Sequence, residues 1–309
     1  MSYPTVTVHA LDAGHFTLPE KFFVHPSEET DWRTVPSLAF LIQHHDRNTG
    51  KVTRIVFDLG LRRQTARYPE AIQKHLATRH PMSTDPDVTK SLAAGGLTPD
   101  DIDFVIYSHV HWDHVGEPWD FPRSTFVVGH GALDLLHGKN PAPELAHSVF
   151  EADLLSPDRT IQLMDPSQLN PGQPNKQNGA DFTQPWAAHV EGTVTCPAID
   201  VFHDGSLYII NAPGHLPGHI NLLARTETTA GSVYLAGDAC HDRRILSKER
   251  EISEWTDARG HICCIHTDRK IAEETLEQIR QLEAQGVEVI LAHDVEWEDN
   301  NRDRFWGRR

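Results

Sequence analysis

Four side chains of metal-ligand type lie within six residues of one another near the middle of the chain: His109, His111, Asp113 and His114. They directly follow the apolar run 104–107, which predicts a short buried strand. Neutral imidazole and carboxylate are ligands that suit zinc and similar divalent cations. Because a packed strand holds the turn after it rigidly, the segment predicts a metal site rather than an ordinary surface turn.

Three later apolar runs also end at a histidine or an aspartate. The runs and their residues are 207–210 with His215, 233–236 with Asp238, and 287–291 with His293. A single histidine at the end of a strand is usually just polar surface. Three such ends in one chain, together with the cluster at His109, indicate that these side chains converge on one site.

Strand-like runs and helical segments alternate in both halves of the chain. The clearest predicted helix is 268–283, where apolar residues recur at helical spacing. Shorter helices are predicted near 71–77 and 131–136. The predicted strands are 6–11, 38–43, 52–57, 104–107, 125–128, 201–203, 207–210, 220–224, 233–235 and 287–291. This order predicts a layered α/β protein, of α+β type, with a strand-rich centre.

Residues 138–190 are the least regular part of the chain, and prolines, asparagines and glutamines cluster between residues 166 and 184, notably over 170–175. Long loops in compact domains are often binding elements. The candidate ligands lie on both sides of this segment. We therefore interpret it as an insertion within a single domain that spans residues 1–309.

The charge and the composition of the chain limit the classes of partner that we expect it to bind. The formal net charge of −16 over 309 residues disfavours binding to a phosphate backbone, so nucleic acid is not expected. No apolar run approaches the roughly 20 residues that span a bilayer, and the N-terminus lacks the pattern of a signal peptide. The four cysteines fit neither a zinc knuckle nor a disulfide scaffold. We predict a cytoplasmic enzyme with reduced thiols that acts on a small molecule.

The segment His109-Val110-His111-Trp112-Asp113-His114 matches the H-x-H-x-D-H signature of the metallo-β-lactamase superfamily, and the three later ligand-type residues follow in the family's order. Within that superfamily the chain most resembles the N-acyl homoserine lactone lactonases, through residues 213–219 and 292–294. The resemblance runs from about residue 6 to residue 294. It implies a four-layer αββα sandwich with a metal site at one edge of two facing sheets.

The same resemblance implies a site for two divalent cations, zinc in the first place, with iron, manganese and cobalt as alternatives. His109, His111 and His215 would hold one cation, Asp113, His114 and His293 would hold the second, and Asp238 would bridge them. Asp58 matches the family's first motif and would orient a ligand histidine, although it is also a plausible turn residue. His219 is predicted to be structural or to support a ligand, not to bind metal.

This ligand set predicts hydrolysis by a hydroxide held between two cations, with Asp113 also carrying a proton to the leaving group. At position 241 the chain has a histidine where the lactonases usually place a tyrosine. His241 can donate a similar hydrogen bond to the substrate carbonyl, or it is a surface residue. Cys240 is interpreted as a packing residue, with a thiol role as the alternative.

Aromatic residues indicate the kind of substrate. Trp112 lies inside the cluster and is predicted to line the pocket; Trp186, Phe22, Phe23 and Trp32 are weaker candidates, with core packing as the alternative. An aromatic pocket favours a compact, partly apolar ring. A cyclic ester is therefore the first prediction. A γ-lactam or a cyclic carbamate such as benzoxazolinone is the second, and a thioester of the glyoxalase II type is the third.

Overall fold

The computed structural model describes residues 4–139, 149–169, 179–188, 190, 196–228 and 231–308. In chain order its strands are β1 (Val6–Leu11), β2 (His15–Pro19), β3 (Val24–His25), β4 (Trp32–Pro36), β5 (Ala39–His45), β6 (Val52–Phe57), β7 (Phe104–Ile106), β8 (Thr125–Val128), β9 (Thr160–Gln162), β10 (Ala198–Asp200), β11 (Leu207–Asn211), β12 (Ile220–Arg225), β13 (Ser232–Leu235), β14 (Glu251–Ile252), β15 (Glu254–Thr256), β16 (Ile262–Cys264) and β17 (Glu288–Ile290). Its α-helices are α1 (Glu70–Leu76), α2 (Val88–Ala94), α3 (Ala132–Leu136), α4 (Arg243–Leu246), α5 (Arg269–Ala284) and α6 (Val295–Asn300).

Two sheets form the centre of the molecule. The first has six strands in the order β1-β5-β6-β7-β8-β9, antiparallel from β1 to β6 and parallel from β6 to β9. The second has five strands in the order β10-β11-β12-β13-β17, and only its last pair is parallel. Three two-stranded pairs, β2-β4, β3-β14 and β15-β16, lie outside these sheets.

The sheets face each other across one apolar core. Ile42 and Phe57 from the first sheet share this core with Ile209 and Leu222 from the second. Helices cover the outer faces: α5 packs on the second sheet, and α2 and α3 pack on the first. Each sheet therefore buries both faces, one against the other sheet and one under helices. The predicted four-layer αββα sandwich is confirmed.

The longest helix follows directly from its sequence. Asp268 caps its first turn, because the carboxylate accepts a hydrogen bond from the Ile271 amide at 3.0 Å. One face of α5 is buried and consists of Ala272, Thr275, Leu276, Ile279 and Leu282. The opposite face is polar, so the helix lies on the second sheet with one side in solvent.

Two of the sequence predictions are corrected by the structure. The strand predicted at 201–203 is wrong: the strand is β10, three residues earlier, because His203 and Gly205 have positive φ angles of 56° and 74° and form a turn. The segment 138–190 is only partly irregular, since β9 extends the first sheet and Trp186 is buried between the sheets. Residues 170–175, on which the loop interpretation relied, lie outside the described residues.

The organisation as one domain remains a proposal. It is supported by the shared core, to which both sheets contribute. Within the described part of the chain, none of the helices has the length and apolar character that a bilayer crossing requires.

Candidate metal centre

The candidate ligands meet at one edge of the sandwich because they follow the carboxyl ends of strands from both sheets. The pairs are β7 with His109, β11 with His215, β13 with Asp238 and β17 with His293, and Asp58, which supports a ligand, follows β6 in the same way. All seven predicted ligand residues are buried. They form two groups of four that share Asp238, one with His109, His111 and His215, the other with Asp113, His114 and His293.

Three imidazole nitrogens form the first group. The Nε2 atom of His109 lies 2.9 Å from the Nδ1 atom of His111 and 3.3 Å from the Nε2 atom of His215. The Nδ1 atom of His111 and the Nε2 atom of His215 lie 3.1 Å apart. Ligands about 2.0–2.1 Å from a tetrahedral zinc ion lie about 3.3 Å from one another. The spacing of these nitrogens therefore fits a cation of that size.

Asp113, His114 and His293 form the second group around the other side of Asp238. The Oδ2 atom of Asp113 lies 3.6 Å from the Nε2 atom of His293 and 3.9 Å from that of His114. Burial raises the pKa of Asp113, and the neighbouring imidazoles oppose this shift. A carboxylate and two imidazoles are a donor set that suits a divalent transition-metal cation.

Asp238 divides its two carboxylate oxygens between the groups. Its Oδ1 atom lies 3.1 Å from the Nε2 atom of His114 and 3.2 Å from that of His293. Its Oδ2 atom lies 3.7 Å from the Nε2 atoms of both His109 and His215. A carboxylate that faces a separate set of nitrogens with each oxygen is suited to bridge two cations.

Hydrogen bonds at Nδ1 orient three histidines so that their Nε2 atoms face the centre. The Nδ1–H of His293 donates to the carbonyl oxygen of Pro36 at 2.7 Å, and that of His114 donates to Asp58 at 2.9 Å. The Ser108 hydroxyl donates to Asp58, so it accepts from the Nδ1–H of His109 at 3.0 Å. Such outer contacts hold metal ligands in their binding orientation.

The protonation states also fit a cation. Burial, with the neighbouring imidazoles, holds the pKa of His109 and His215 well below the usual range, so both are neutral and able to bind metal. Burial lowers the pKa of His114, but the surrounding carboxylates outweigh it and raise that pKa well above its usual range. These carboxylates therefore favour a positive charge at His114, and a bound cation would supply that charge in place of the proton. The Nε2 atom of His114 and the Oδ1 atom of Asp238 are buried without a satisfied hydrogen bond among the described residues. A cation would satisfy both atoms.

Asp58 lies behind the candidate ligands in contact with His114, and its supporting role remains a prediction. It has a left-handed backbone, with φ of 60°. One carboxylate oxygen accepts from the Ser108 amide at 2.7 Å, and the other accepts from the Ser108 hydroxyl and from His114. Asp58 thus links the end of β6 to the loop after β7 and orients a candidate ligand from behind.

His219 makes hydrogen bonds to two backbone groups near Asp238, and its supporting role remains a prediction. Its Nδ1–H donates to the carbonyl oxygen of Ala212 at 3.0 Å, and its Nε2 atom accepts from the Asp238 amide at 3.1 Å. Burial lowers its pKa to about 4, so the ring is neutral. Gly237 packs beside it with φ of 47°, and a Cβ there would lie 2.9 Å from the Cβ of Ser108. Both residues therefore fix the backbone that presents Asp238.

His241 is buried at the centre and is not a surface residue. Its Nε2 atom lies 3.2 Å from the Oδ2 atom of Asp238, and its ring packs against His215, His266 and Phe23. It also lines the cavity described below. The surface alternative for His241 is therefore wrong, while its catalytic role remains a prediction.

A cavity of about 580 Å³ opens onto the two groups. Its floor includes His111, Asp113, Asp238 and His293. Its walls come largely from the strand pairs outside the main sheets and are mostly apolar: they include Phe16, Leu18, Phe22, Phe23, Trp32, Trp112, Trp255 and Ile265. Trp112, Phe22, Phe23 and Trp32 thus line the cavity, as their pocket interpretation predicts.

Trp186 and Cys240 do not line the cavity. Trp186 is 1% exposed in the core between the sheets, where its indole N–H donates to the carbonyl oxygen of Met164, so the pocket interpretation of Trp186 is wrong. Cys240 is buried, and its thiol donates to the carbonyl oxygen of Asp242. Burial raises the pKa of this thiol to about 12, so Cys240 has the properties of a packing residue.

Several residues around the centre were missed by the sequence analysis. Phe16 packs edge-on against His293 and Trp112, and Ser37 donates a hydrogen bond to the backbone carbonyl of Asp113. His266 is buried beside His241, and Arg79 lines the cavity. Only pairing between distant segments brings these residues to the centre, so no local pattern marks them. For His266 the only signal in the sequence is that a further histidine occurs outside the signature.

Comparison with known proteins defines the class. A family model described as the metallo-beta-lactamase superfamily matches residues 32–285. The match covers more than half of the chain, and the chain belongs to this superfamily. Its relatives include proteins named as a gamma-lactamase, a metallo-hydrolase and an N-acyl homoserine lactonase. The resemblance predicted from the H-x-H-x-D-H segment is confirmed.

Three curated relatives indicate the range of the family. The chain is 29% identical over 314 residues to the "Cytochrome P450 monooxygenase mpaDE" of Penicillium roqueforti, covering 95% of this chain but 34% of that protein. The chain thus spans about a third of the length of the mpaDE proteins that it matches. It is 29% identical to the "Gamma-lactamase FDB1" of Fusarium pseudograminearum over 78% of this chain and 54% of that one. It is 23% identical to the "N-acyl homoserine lactonase AttM" of Azorhizobium caulinodans over 69% and 66%.

A solved structure supports the fold. AiiA of B. thuringiensis, solved with N-decanoyl-L-homoserine bound at its active site, has a TM-score of 0.63 to this chain, and the match covers 97% of each. The two sequences are 17% identical. The similarity therefore extends over 97% of this chain and concerns the fold.

Proposed function

We propose that the chain binds two divalent cations and hydrolyses a cyclic ester, opening the ring to a hydroxy acid. The observation that carries the proposal is Asp238, whose two oxygens face separate groups of histidines at the floor of a cavity. Zinc is the cation we propose first, because the nitrogen spacing of the first group suits its size.

The candidate ligands would divide as their positions suggest. His109, His111 and His215 would hold one cation, and Asp113, His114 and His293 the other, with Asp238 between them. When bound, the two cations would supply Lewis acidity, which lowers the pKa of water and polarises a carbonyl group. Asp58, Ser108 and Pro36 would keep the imidazoles aligned through the hydrogen bonds that they already make.

Two residues would act on the substrate itself. His241 lines the cavity beside Asp238, and its imidazole would donate a hydrogen bond to the substrate's carbonyl oxygen. Asp113 lines the cavity floor, and its carboxylate would take the proton released by the attacking water and pass it to the leaving alkoxide. Proton delivery by Asp113 allows the ring oxygen to leave as a hydroxyl group.

The shape and chemistry of the cavity support a ring substrate. A cavity of about 580 Å³ with mostly apolar walls is suited to a compact, partly apolar molecule. The aromatic side chain of Trp112 stands beside the candidate ligands and would contact such a ring. The net charge of −16 gives no support for a nucleic acid substrate.

A γ-lactam or a cyclic carbamate such as benzoxazolinone is the second candidate. It is favoured by the similarity to the "Gamma-lactamase FDB1", which is more extensive than the similarity to AttM. The same residues would serve, since an amide carbonyl is attacked in the same way as an ester carbonyl. An amide nitrogen is the poorer leaving group, so proton delivery by Asp113 would matter more. A thioester remains the third candidate.

All four cysteines carry free thiols. This supports the proposed cytoplasmic location, where thiols stay reduced.

Acid release on ring opening tests the proposal. The protein is stripped of metal, reloaded separately with zinc, manganese, iron or cobalt, and assayed on lactones, γ-lactams, benzoxazolinone and thioesters. We expect turnover of lactones by the reloaded protein and none by the stripped protein. The control is His111→Ala, which removes one candidate ligand. Equal rates for the reloaded protein and this variant, or turnover of thioesters alone, would contradict the proposal.

A further inference from the structure

Arg79 is a buried cation in the wall of the cavity. It is 8% exposed, and it lines the cavity together with Asp113 and Trp112. Burying a guanidinium group is costly unless a partner compensates its charge. Buried arginines therefore usually pair with a carboxylate. Among the described residues, no carboxylate forms an ion pair with Arg79.

The guanidinium group has no anionic partner among the described residues. Its Nε atom is buried without a hydrogen bond there, and its Nη1 atom makes one long contact of 3.5 Å with the carbonyl oxygen of Thr78. Burial lowers the pKa of Arg79 to about 10, with the charge of Asp113 opposing that shift, so the side chain stays cationic at neutral pH. Asp113 influences Arg79 from a distance but forms no ion pair with it.

The backbone holds Arg79 in place. The amide of Thr17 on β2 donates to the carbonyl oxygen of Arg79 at 2.9 Å, and the Arg79 amide donates to Leu76 at the end of α1 at 2.9 Å. Further along, His15 and Ser83 exchange two hydrogen bonds of 2.8 Å between the same segments. A cation on so well-anchored a segment is preorganised to receive a ligand.

We propose that Arg79 is a recognition site for an anionic group, such as a carboxylate, carried by the substrate in addition to the ring that is opened. The proposal deepens the proposed function and rests on it. A guanidinium group presents a planar fork of N–H donors that matches a carboxylate with two parallel hydrogen bonds. If Asp113 binds a cation, as proposed, its charge is engaged there, and the positive charge of Arg79 is left for the substrate.

The position of Arg79 also indicates where the anionic group would lie. Because Asp113 belongs to the second group of candidate ligands and lines the same cavity as Arg79, the recognised group would sit close to the reacting ring. A short substrate is therefore expected, in which only a few bonds separate the carboxylate from the ring carbonyl. The apolar walls around Phe16 and Leu18 would contact the rest of the molecule.

A matched pair of substrates tests the proposal in the zinc-loaded protein. One is a γ-butyrolactone with a carboxylate on its γ carbon, and the other carries the primary carboxamide there. We expect wild type to prefer the carboxylate in kcat/KM by about 10- to 100-fold, the range of a hydrogen bond to a charged group. Arg79→Met is expected to lose that preference through a higher KM for the carboxylate, with the carboxamide unaffected.

Two further variants keep the result interpretable. Arg79→Lys retains the charge without the planar fork and should keep part of the preference. Lys74→Met removes a positive charge from the exposed side of α1, where Lys74 is 75% exposed, and should behave as wild type. An unchanged preference in Arg79→Met would overturn the proposal. Equal losses on both substrates would also overturn it, because Arg79 would then act on the reacting carbonyl.

Binding separates a failure of this proposal from a failure of the proposed function. If wild type opens neither lactone, the proposed cyclic ester substrate fails, and calorimetric titration with benzenesulfonate, a weak metal ligand, tests the anion site alone. We expect at least about a tenfold weaker Kd in Arg79→Met than in wild type and in Lys74→Met. The same Kd in all three proteins would overturn the anion site.

Discussion

The Oδ1 atom of Asp238 lies 3.1 Å from the Nε2 atom of His114, and both atoms are buried without a satisfied hydrogen bond among the described residues. A buried carboxylate and imidazole in this relationship are costly unless something lies between them. The pKa values respond to the same contact: although burial opposes it, the neighbouring imidazoles hold the pKa of Asp238 well below its usual range. A divalent cation would satisfy both atoms at once.

Loss of one candidate ligand from either group should abolish hydrolysis. His111→Ala removes a nitrogen of the first group, and Asp113→Asn removes a charge and a proton carrier from the second. Both side chains line the cavity, so the fold should persist. Circular dichroism and thermal unfolding check the fold, and the ring-opening assay checks activity. Full activity in either variant would remove the mechanism.

His241→Ala should lower turnover more than it changes metal content. The imidazole lines the cavity and would stabilise charge on the carbonyl oxygen, and loss of one such donor typically lowers kcat by about 100-fold. Metal analysis and the ring-opening assay are run on the same sample. Cys240→Ala serves as the control, since the neighbouring thiol contacts the backbone of Asp242 and not the cavity. Wild-type turnover in His241→Ala would leave the residue without a catalytic role.

Asp58→Asn should weaken metal binding while keeping the turn. Asparagine tolerates the left-handed φ of 60°, but its amide is a poorer acceptor for His114 and for the two Ser108 hydrogens. Changes behind metal ligands typically cost about 10- to 100-fold in affinity. Competition with a chromogenic chelator measures the change. An affinity equal to that of wild type would show that Asp58 serves the turn alone.

The sequence predicts the signature loop and the ends of four strands well, because each signal is local. The apolar runs before His109, His215, Asp238 and His293 indicate where packed strands stop. The order of the candidate ligands along the chain is then enough to match them to the ligands of the family. The helix α5 is found for a similar reason, since its apolar spacing is regular over sixteen residues.

The wall of the cavity could not be predicted in this way. Phe16 and Arg79 reach it because β2 pairs with β4 and because Thr17 binds the backbone of Arg79, which are contacts between distant segments. Short pairs such as β15-β16 lack a strong alternating pattern. The error at 201–203 has a local cause: valine and phenylalanine suggest a strand, but the positive φ of His203 begins the turn there.

His219 should make the stability of the metal-free protein depend on acid pH. Burial lowers its pKa from the ordinary 6.5 to about 4, so the unfolded chain takes up a proton between these values and the folded chain does not. The free energy of unfolding therefore falls as the pH drops through this window, by about 3 kcal/mol from this residue. Denaturant unfolding from pH 7 to pH 4 should show a smaller fall in His219→Gln by about that amount.

The exposed residue His261 provides the control for this measurement. Its side chain is 68% exposed, and His261→Gln should leave the pH dependence close to that of wild type. If His219→Gln and wild type lose the same free energy over the window, the ring of His219 is not held neutral by the fold.

Anomalous scattering from crystals of the zinc-loaded protein tests the central claim most directly. The account predicts two peaks, one among His109, His111 and His215, the other among Asp113, His114 and His293, with an oxygen of Asp238 towards each. A single peak with Asp238 turned away from it, or no peak at this edge of the sandwich, would contradict the account.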